Sequence, residues 1–117
     1  MRNYGFGSGG AFHWFFQRIS GVILLILLLV HFILTHYFPV GDVTYQKVAV
    51  RLSQPGWKLF YMIFLALGLY HGINGIWIIV QDYVARSTWR FFIVGLLMVA
   101  GLIFFMLGSI TVIPFKV

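Results

Sequence analysis

Charged residues interrupt the hydrophobic pattern of this chain at only a few places. Three stretches contain no Asp, Glu, Lys or Arg: 19–41, 59–81 and 91–115. A helix that crosses the hydrocarbon core of a bilayer needs about 20 predominantly apolar residues, and each stretch is longer than that. Backbone groups in lipid must hydrogen-bond within their own segment, so helices are the expected structure. We therefore predict an all-α membrane protein, a single transmembrane anchor domain over 1–117 with spans near 16–38, 57–83 and 89–112.

The loop between the first two spans has a helical pattern of its own. One helical face carries four apolar or aromatic side chains: Tyr45, Val48, Ala49 and Leu52. Lys47 and Arg51 share another face. This pattern fits a short amphipathic helix lying in the membrane interface. We also expect Pro39 and Gly41 to end the first span, and the sequence SQPG at 53–56 to turn the chain into the second.

Composition supports a membrane protein and argues against other classes. Apolar residues make up 62% of the chain and charged residues 9%, against roughly 45–50% and 25% in soluble domains. The net charge of +6 arises because only two residues are acidic. The cations lie at the ends of apolar runs and not in a basic stripe, so we expect them to face anionic lipid headgroups and not nucleic acid. The absence of cysteine excludes disulfides, Fe–S ligation and c-type haem attachment by this chain.

Two histidines, His31 and His71, lie deep within the first two spans, where ionisable residues are costly and usually functional. Each could hydrogen-bond to a neighbouring helix, or each could ligate the iron of a haem held between helices, since imidazole is a common axial ligand. His71 has the stronger context, because Gly68, Gly72 and Gly75 surround it and would allow a flat group or a helix to approach closely. No glycine lies four residues from His31, so packing is the simpler interpretation of that residue.

The second span ends in Asp82-Tyr83. Eleven residues separate Asp82 from His71, which places both on one helical face. Tyr83 is either an aromatic belt residue of the interface or the hydroxyl donor to a quinone carbonyl, with Asp82 tuning it. Arg86 follows Asp82 by four residues, the spacing of a helical ion pair. Arg18 is expected near the same level, because antiparallel neighbours place the start of one helix beside the end of the other.

Two segments resemble signatures of a known family. Residues 14–21, WFFQRISG, resemble the W-x-x-Q-R-x-[ST]-[AG] opening of bacterial succinate dehydrogenase anchors. Residues 71–77, HGINGIW, running into Asp82-Tyr83, resemble the H-x-x-x-G…D-Y signature of the same anchors. The resemblance covers all three spans. The terminal Asp-Tyr pair makes the chain similar to the smaller, D-type anchor subunit of succinate:quinone oxidoreductase, which is cytochrome b-like.

This resemblance implies three protein partners: a larger cytochrome b-type anchor subunit, an iron–sulfur subunit and a flavoprotein that oxidises succinate. It implies that His71 is an axial ligand of a b-type haem and that Tyr83 lines a site for a quinone, either ubiquinone or menaquinone. From their positions we expect Asp82 and Arg18 at the same site. Two-haem members place a histidine where His31 stands, so a second haem and a packing role both stay open for it. The implied location is a bacterial or archaeal cytoplasmic membrane with a cytoplasmic N-terminus. The positive-inside count is tied and does not decide the orientation.

Two other functions stay compatible with the sequence. A quinol:fumarate reductase anchor would have the same fold with the reverse electron flow, and this subunit does not separate the two directions. A small structural or transport-associated membrane protein would need no cofactor and would be colourless when purified.

Overall fold

Four α-helices account for nearly all of the described chain. The computed structural model describes residues 10–37 and 43–116. In chain order the helices are α1 (Gly10–His36), α2 (Tyr45–Ser53), α3 (Pro55–Tyr83) and α4 (Ser87–Val112). The described residues contain no β-strand. The predicted all-α architecture is confirmed.

Three of the helices are long and apolar enough to cross a membrane: Ala11–His36, Pro55–Tyr83 and Ser87–Val112. Helices α1, α3 and α4 contain 27, 29 and 26 residues. At 1.5 Å per residue they are about 39–44 Å long, which exceeds the roughly 30 Å thickness of a hydrocarbon core. The predicted number of spanning helices is confirmed, and α1 begins at Gly10, six residues before the expected start. The aromatic residues at 14–16 continue the helix, because side chains that suit the interface are also compatible with helical backbone.

The short helix predicted in the first loop is present as α2. The hydroxyl of Thr44 accepts a hydrogen bond from the backbone N–H of Lys47 at 3.3 Å, and so caps the first turn. Leu52, on the apolar face, is buried. Arg51 donates to the backbone carbonyl of Leu34 at 3.2 Å, which ties α2 to the end of α1. Its guanidinium also lies over the Trp57 ring, 5.5 Å from the centroid.

The turn expected at 53–56 is shorter in the structure. Gln54 alone separates α2 from α3, and Pro55 with Gly56 form the first turn of α3. Proline is favoured there because its missing N–H would have no helical partner and its φ angle already suits a helix. The expected helix-ending role of Pro39 and Gly41 lies outside the described residues.

Helix α3 is the centre of the bundle and packs against α1, α2 and α4. Small residues bring α4 close to it: a Cβ at Gly101 would overlap Ile73, and a Cβ at Gly108 would overlap Leu65. Glycine at such positions lets two helix backbones approach each other. At the opposite end of the bundle from Tyr83, the Lys58 ammonium donates to the carbonyl of Ile113 at 2.7 Å and caps α4.

The outer surface of the bundle is apolar, and polar side chains occupy part of its interior. Among the described residues the buried side chains are few: Ser20, Leu52 and Asn74. Many large apolar side chains on α1 and α4 are exposed instead. In a membrane protein such surfaces face lipid or partner helices. The two buried polar residues mark the contact between α1 and α3.

Candidate functional site

A hydrogen-bonded cluster joins α1 to α3 around His71. Asn74, which is only 8% exposed, donates to the side-chain oxygen of Gln17 at 2.9 Å. Asn74 also lies 3.4 Å from the carbonyl of His13. The Gln17 amide nitrogen in turn donates to the backbone carbonyl of His71 at 3.2 Å. Polar groups in an apolar surrounding need such partners, so this cluster fixes the relative position of the two helices at this level.

The imidazole of His71 has two oxygen neighbours at the same ring nitrogen. Nδ1 lies 3.2 Å from the carbonyl oxygen of Gln17 and 3.1 Å from the hydroxyl oxygen of Ser20. A carbonyl oxygen can only accept, so the hydrogen-bond partners assign the proton to Nδ1. In the neutral ring Nε2 then carries the free lone pair. The Ser20 hydroxyl donates to the same Gln17 carbonyl at 3.1 Å, which leaves its oxygen free to accept from Nδ1.

This arrangement matches what an iron-ligating histidine requires. Such residues generally donate their other ring N–H to a carbonyl or carboxylate, which fixes the tautomer and the ring orientation. His71 is half-buried, and Gly21 of α1 lies against its ring: a Cβ there would be 3.1 Å from Cε1. The residues present therefore fit a haem ligated through Nε2.

His31 lies in a second α1–α3 contact with a different partner. Its Nδ1 is 2.9 Å from the Tyr61 hydroxyl oxygen, and the two rings meet edge to face with centroids 5.5 Å apart. A phenol can donate or accept, so this contact allows either tautomer. Eleven residues separate His31 from Ser20, so the two histidine levels are about 16 Å apart along α1. The geometry is compatible with both interpretations of His31.

Neither histidine belongs to a protein metal cluster. Across residues 10–37 and 43–116 there is no group of three or more His, Cys, Asp or Glu side chains that could hold a metal ion. A metal at His71 or His31 would need its other ligands from a bound group or a partner chain. A haem supplies four ring nitrogens of its own and needs only axial ligands from protein.

Asp82 and Tyr83 lie at an exposed corner where α3 turns into α4. Tyr83 is the last residue of α3 and is 85% exposed. The three residues 84–86 connect the helices. Arg90, in the first turn of α4, reaches back across this turn: Nε donates to the carbonyl of Val84 at 2.5 Å and Nη2 to that of Gln81 at 2.9 Å. These two hydrogen bonds from α4 therefore hold the backbone on either side of the Asp-Tyr pair.

The helical spacing expected between Asp82 and Arg86 does not apply. Helix α3 ends at Tyr83, and Arg86 is the N-cap residue of α4. The predicted spans already ended at 83 and resumed at 89, and in the structure residues 84–86 join the two helices, so the four-residue spacing does not place these two residues on one helix. Arg86 lines a cavity of about 250 Å³ with Thr88, Trp89 and Phe92.

Arg18 lies at the level of the His71 cluster. Its guanidinium is over the Trp14 ring, 4.4 Å from the centroid, at the edge of an apolar groove of about 390 Å³ on α1. The adjacent Gln17 lies against Gly75 of α3. Asp82 is seven residues beyond Gly75, about 10 Å further along the helix at 1.5 Å per residue. The quinone role of Arg18 stays a prediction.

Comparison with known proteins identifies the family. Residues 3–108 match the model of the succinate dehydrogenase/fumarate reductase transmembrane subunit, which covers most of the 117 residues. The chain belongs to this family. The resemblance read from the two sequence signatures is thereby confirmed, and with its three apolar helices this member of the family is an integral membrane protein.

Three relatives of this transmembrane subunit share the name "Succinate dehydrogenase hydrophobic membrane anchor subunit". The Archaeoglobus fulgidus protein is 32% identical over 69 residues, 59% of this chain and 59% of that protein. The Thermoplasma acidophilum protein is 36% identical over 74 residues, 62% of this chain and 60% of that protein. The Rickettsia felis protein is 30% identical over 85 residues, 71% of this chain and 68% of that protein. The matches thus span about 60% of the length of the Archaeoglobus and Thermoplasma proteins.

Sequence reasoning about this transmembrane subunit missed the residues that contact the two histidines. Ser20 and Gln17 belonged to the recognised opening segment, but no partner was assigned to them. Asn74, three residues after His71 in the recognised segment, donates to Gln17. Tyr61 carried no usable signal, because a tyrosine in an apolar run is ordinary. The signal that could have been followed is Ser20 itself, a small polar residue that precedes a long apolar run of α1.

Proposed function

We propose that this chain is the smaller membrane-anchor subunit of a succinate:quinone oxidoreductase, and that His71 supplies one axial ligand of a b-type haem. The observation that carries the haem assignment is the contact of His71 Nδ1 with the carbonyl of Gln17. It directs the proton to Nδ1 and leaves the Nε2 lone pair for iron. When bound, a b-type haem supplies a one-electron redox centre within the membrane.

The protein residues around His71 hold and orient the imidazole. Ser20 is only 1% exposed and its oxygen is 3.1 Å from Nδ1, while Gly21 leaves room for the ring. The side-chain oxygen of Gln17 accepts a hydrogen bond from Asn74. This bond helps to fix Gln17, whose backbone carbonyl contacts the His71 ring. A second protein ligand of the haem would come from the larger cytochrome b-type anchor, as the family resemblance implies. His31 would ligate a second haem or pack with Tyr61.

We place the quinone site at the α3–α4 corner, with Tyr83 as hydrogen-bond donor. Reduction of a quinone adds two electrons and two protons, and its carbonyl oxygens gain negative charge before they gain protons. A hydroxyl directed at such an oxygen stabilises that charge. Tyr83 is 85% exposed, which leaves its hydroxyl available to a quinone or a partner. An ionised Asp82 cannot donate, so we assign it an orienting or proton-relay role.

The proposed assembly follows from the family and from the exposed surfaces. The α3–α4 corner would face the iron–sulfur subunit, with the flavoprotein beyond it, on the cytoplasmic side of a bacterial or archaeal membrane. The apolar outer faces of the helices would meet the larger anchor and lipid. A quinol:fumarate reductase anchor is the alternative with the same fold, and this geometry does not distinguish the direction of electron flow.

Tyr83→Phe tests the proposed function, because it keeps the ring and removes only the hydroxyl. Loss of one such donor typically lowers a rate by about 10²–10³-fold. We expect a fall of this order in succinate:quinone activity of the complex in membranes. Haem content and succinate oxidation by an artificial acceptor that draws electrons from the water-soluble subunits should persist.

Tyr45→Phe is the matched control, since Tyr45 is 73% exposed on α2 at the other end of the bundle. It should leave quinone reduction unchanged. Normal quinone turnover in Tyr83→Phe would mean that Tyr83 is only an aromatic residue of the membrane interface. The quinone site would then have to be formed by partner subunits. A purified complex without a haem absorption band would instead contradict the assignment of His71.

A further inference from the structure

The side chain of Arg90 spans the two residues proposed to form the quinone site. Its Nη2 donates to the carbonyl of Gln81, just before Asp82, and its Nε donates to the carbonyl of Val84, just after Tyr83. Arg90 is half-buried although it lies near a helix start. Carbonyls in the last turn of a helix have no partner within the helix. Arg90 satisfies two carbonyls of this turn with one planar group.

We propose that Arg90 is a positioning residue for quinone reduction, acting through the placement of Tyr83 and through its own charge. The proposal rests on the proposed quinone role of Tyr83. Among the described residues the Tyr83 side chain forms no hydrogen bond or ring contact, and most of it is exposed. Its direction therefore depends on the backbone to which it is attached. Arg90 connects that backbone to α4.

The charge of Arg90 opposes an unfavourable electrostatic feature of this corner. The C-terminal end of a helix carries roughly −0.5 of an elementary charge from its aligned peptide dipoles. A quinone oxygen that gains negative charge beside the end of α3 would be repelled by it. The Arg90 guanidinium bears a full positive charge directly at these carbonyls. It therefore reduces the repulsion at the position where negative charge develops.

These two effects predict different results for two substitutions. Arg90→Gln removes the charge and the forked pair of donors, so both effects are lost. Arg90→Lys keeps the charge but replaces the planar fork by a single ammonium, which is not equivalent in a bidentate contact. A residue that merely stabilised the fold would show neither a dependence on charge nor a selective effect on quinone.

Lys58→Gln supplies the matched control. Lys58 is also a cation that caps carbonyls, through its 2.7 Å hydrogen bond to Ile113, but it lies at the other end of the bundle. Loss of this cap should affect stability alone. A general weakening of the bundle by cap removal would appear in Lys58→Gln as well as in Arg90→Gln.

The test measures kcat and KM for a short-chain quinone in the complete complex, with haem content and artificial-acceptor activity measured in parallel. A misplacement of about 1 Å can cost about 10²-fold, so we expect Arg90→Gln to lower kcat/KM for quinone by at least about 10-fold. Artificial-acceptor activity and haem content should remain at wild-type levels. Arg90→Lys should have a higher kcat than Arg90→Gln, but its KM for quinone should remain above the wild-type value. Lys58→Gln should keep wild-type quinone kinetics.

Wild-type quinone kinetics in Arg90→Gln would overturn the proposal, as would an equal loss in Lys58→Gln. If Arg90→Gln does not assemble, the Lys variant decides, because unaltered KM in Arg90→Lys would contradict the positioning role. The parallel Tyr83→Phe variant separates the two proposals. Normal turnover in Tyr83→Phe removes the quinone site on which Arg90 is proposed to act. If Tyr83→Phe impairs quinone reduction and Arg90→Gln does not, only the proposed role of Arg90 is contradicted.

Discussion

Replacing Ser20 by alanine removes one of the two oxygens that contact the His71 imidazole. The Ser20 side chain is only 1% exposed, and its hydroxyl oxygen is 3.1 Å from Nδ1. The substitution deletes a single atom from a packed contact between α1 and α3, so the helices should keep their positions. After the change, Nδ1 retains the carbonyl of Gln17 at 3.2 Å as its acceptor. The tautomer is then preserved but the ring is held by one contact fewer.

The expected magnitude follows from this remaining contact. Loss of an outer partner of a metal-ligating histidine typically costs about 10–100-fold in metal affinity. Because the Gln17 carbonyl stays in place, we expect the lower end of that range for Ser20→Ala. An affinity loss of about 10-fold corresponds to about 1.4 kcal/mol. The haem should therefore remain bound in freshly purified complex but dissociate faster than in the wild type.

The assay follows transfer of haem from detergent-solubilised complex to an excess of apomyoglobin, with the haem-to-protein ratio measured beforehand. Ser109→Ala is the matched control, since the Ser109 hydroxyl donates only to the carbonyl of Phe105 in its own helix at 2.7 Å. Ser20→Thr restores the hydroxyl and should restore slow release. Equal haem release from the wild type, Ser20→Ala and Ser109→Ala would refute the argument that Ser20 orients the ligand.

Four further outcomes are expected. His71→Leu should remove or severely perturb one low-spin b-type haem in the absorption spectrum, because the iron loses an axial ligand. His31→Leu should remove a second haem from a complex that holds two, and leave a single haem intact. A cysteine introduced at Ser53 should react with an impermeant thiol reagent in intact cells, whereas one at Ser87 should be protected on the cytoplasmic side. Gly101→Leu should destabilise the purified complex by about 1–3 kcal/mol in thermal unfolding, because a side chain there would overlap α3.

The following outcomes would contradict three of these expectations. An unchanged haem spectrum in His71→Leu would show that the ligand is misassigned. Labelling at Ser87 in place of Ser53 would invert the orientation. For the packing prediction Gly95→Leu is the control, because a Cβ at Gly95 meets nothing within 4 Å. Equal destabilisation in both glycine variants would mean that close approach of α4 is not the cause.

The sequence by itself determined the number and type of the membrane-spanning elements. Three uncharged stretches were sufficient, because a bilayer offers no partners to unpaired backbone groups and so allows only helices there. Helical periodicity also determined which residues of α1 share a face. Ser20, Leu24 and His31 are four and seven residues apart and so share one helical face. All three meet α3, at His71, Gly68 and Tyr61. The end of the second uncharged stretch likewise placed the Asp-Tyr pair at the end of α3.

Only the tertiary structure decided what those faces meet. The tautomer of His71 depends on the carbonyl of Gln17, which lies 54 residues away in the chain. The support of Tyr83 depends on Arg90, which reaches the end of α3 only because the chain reverses within residues 84–86. Periodicity gives the direction of a side chain relative to its own helix, but not the register at which two helices cross. That register is set by the packing of small residues such as Gly21 and Gly101 against α3, which is a property of the whole bundle.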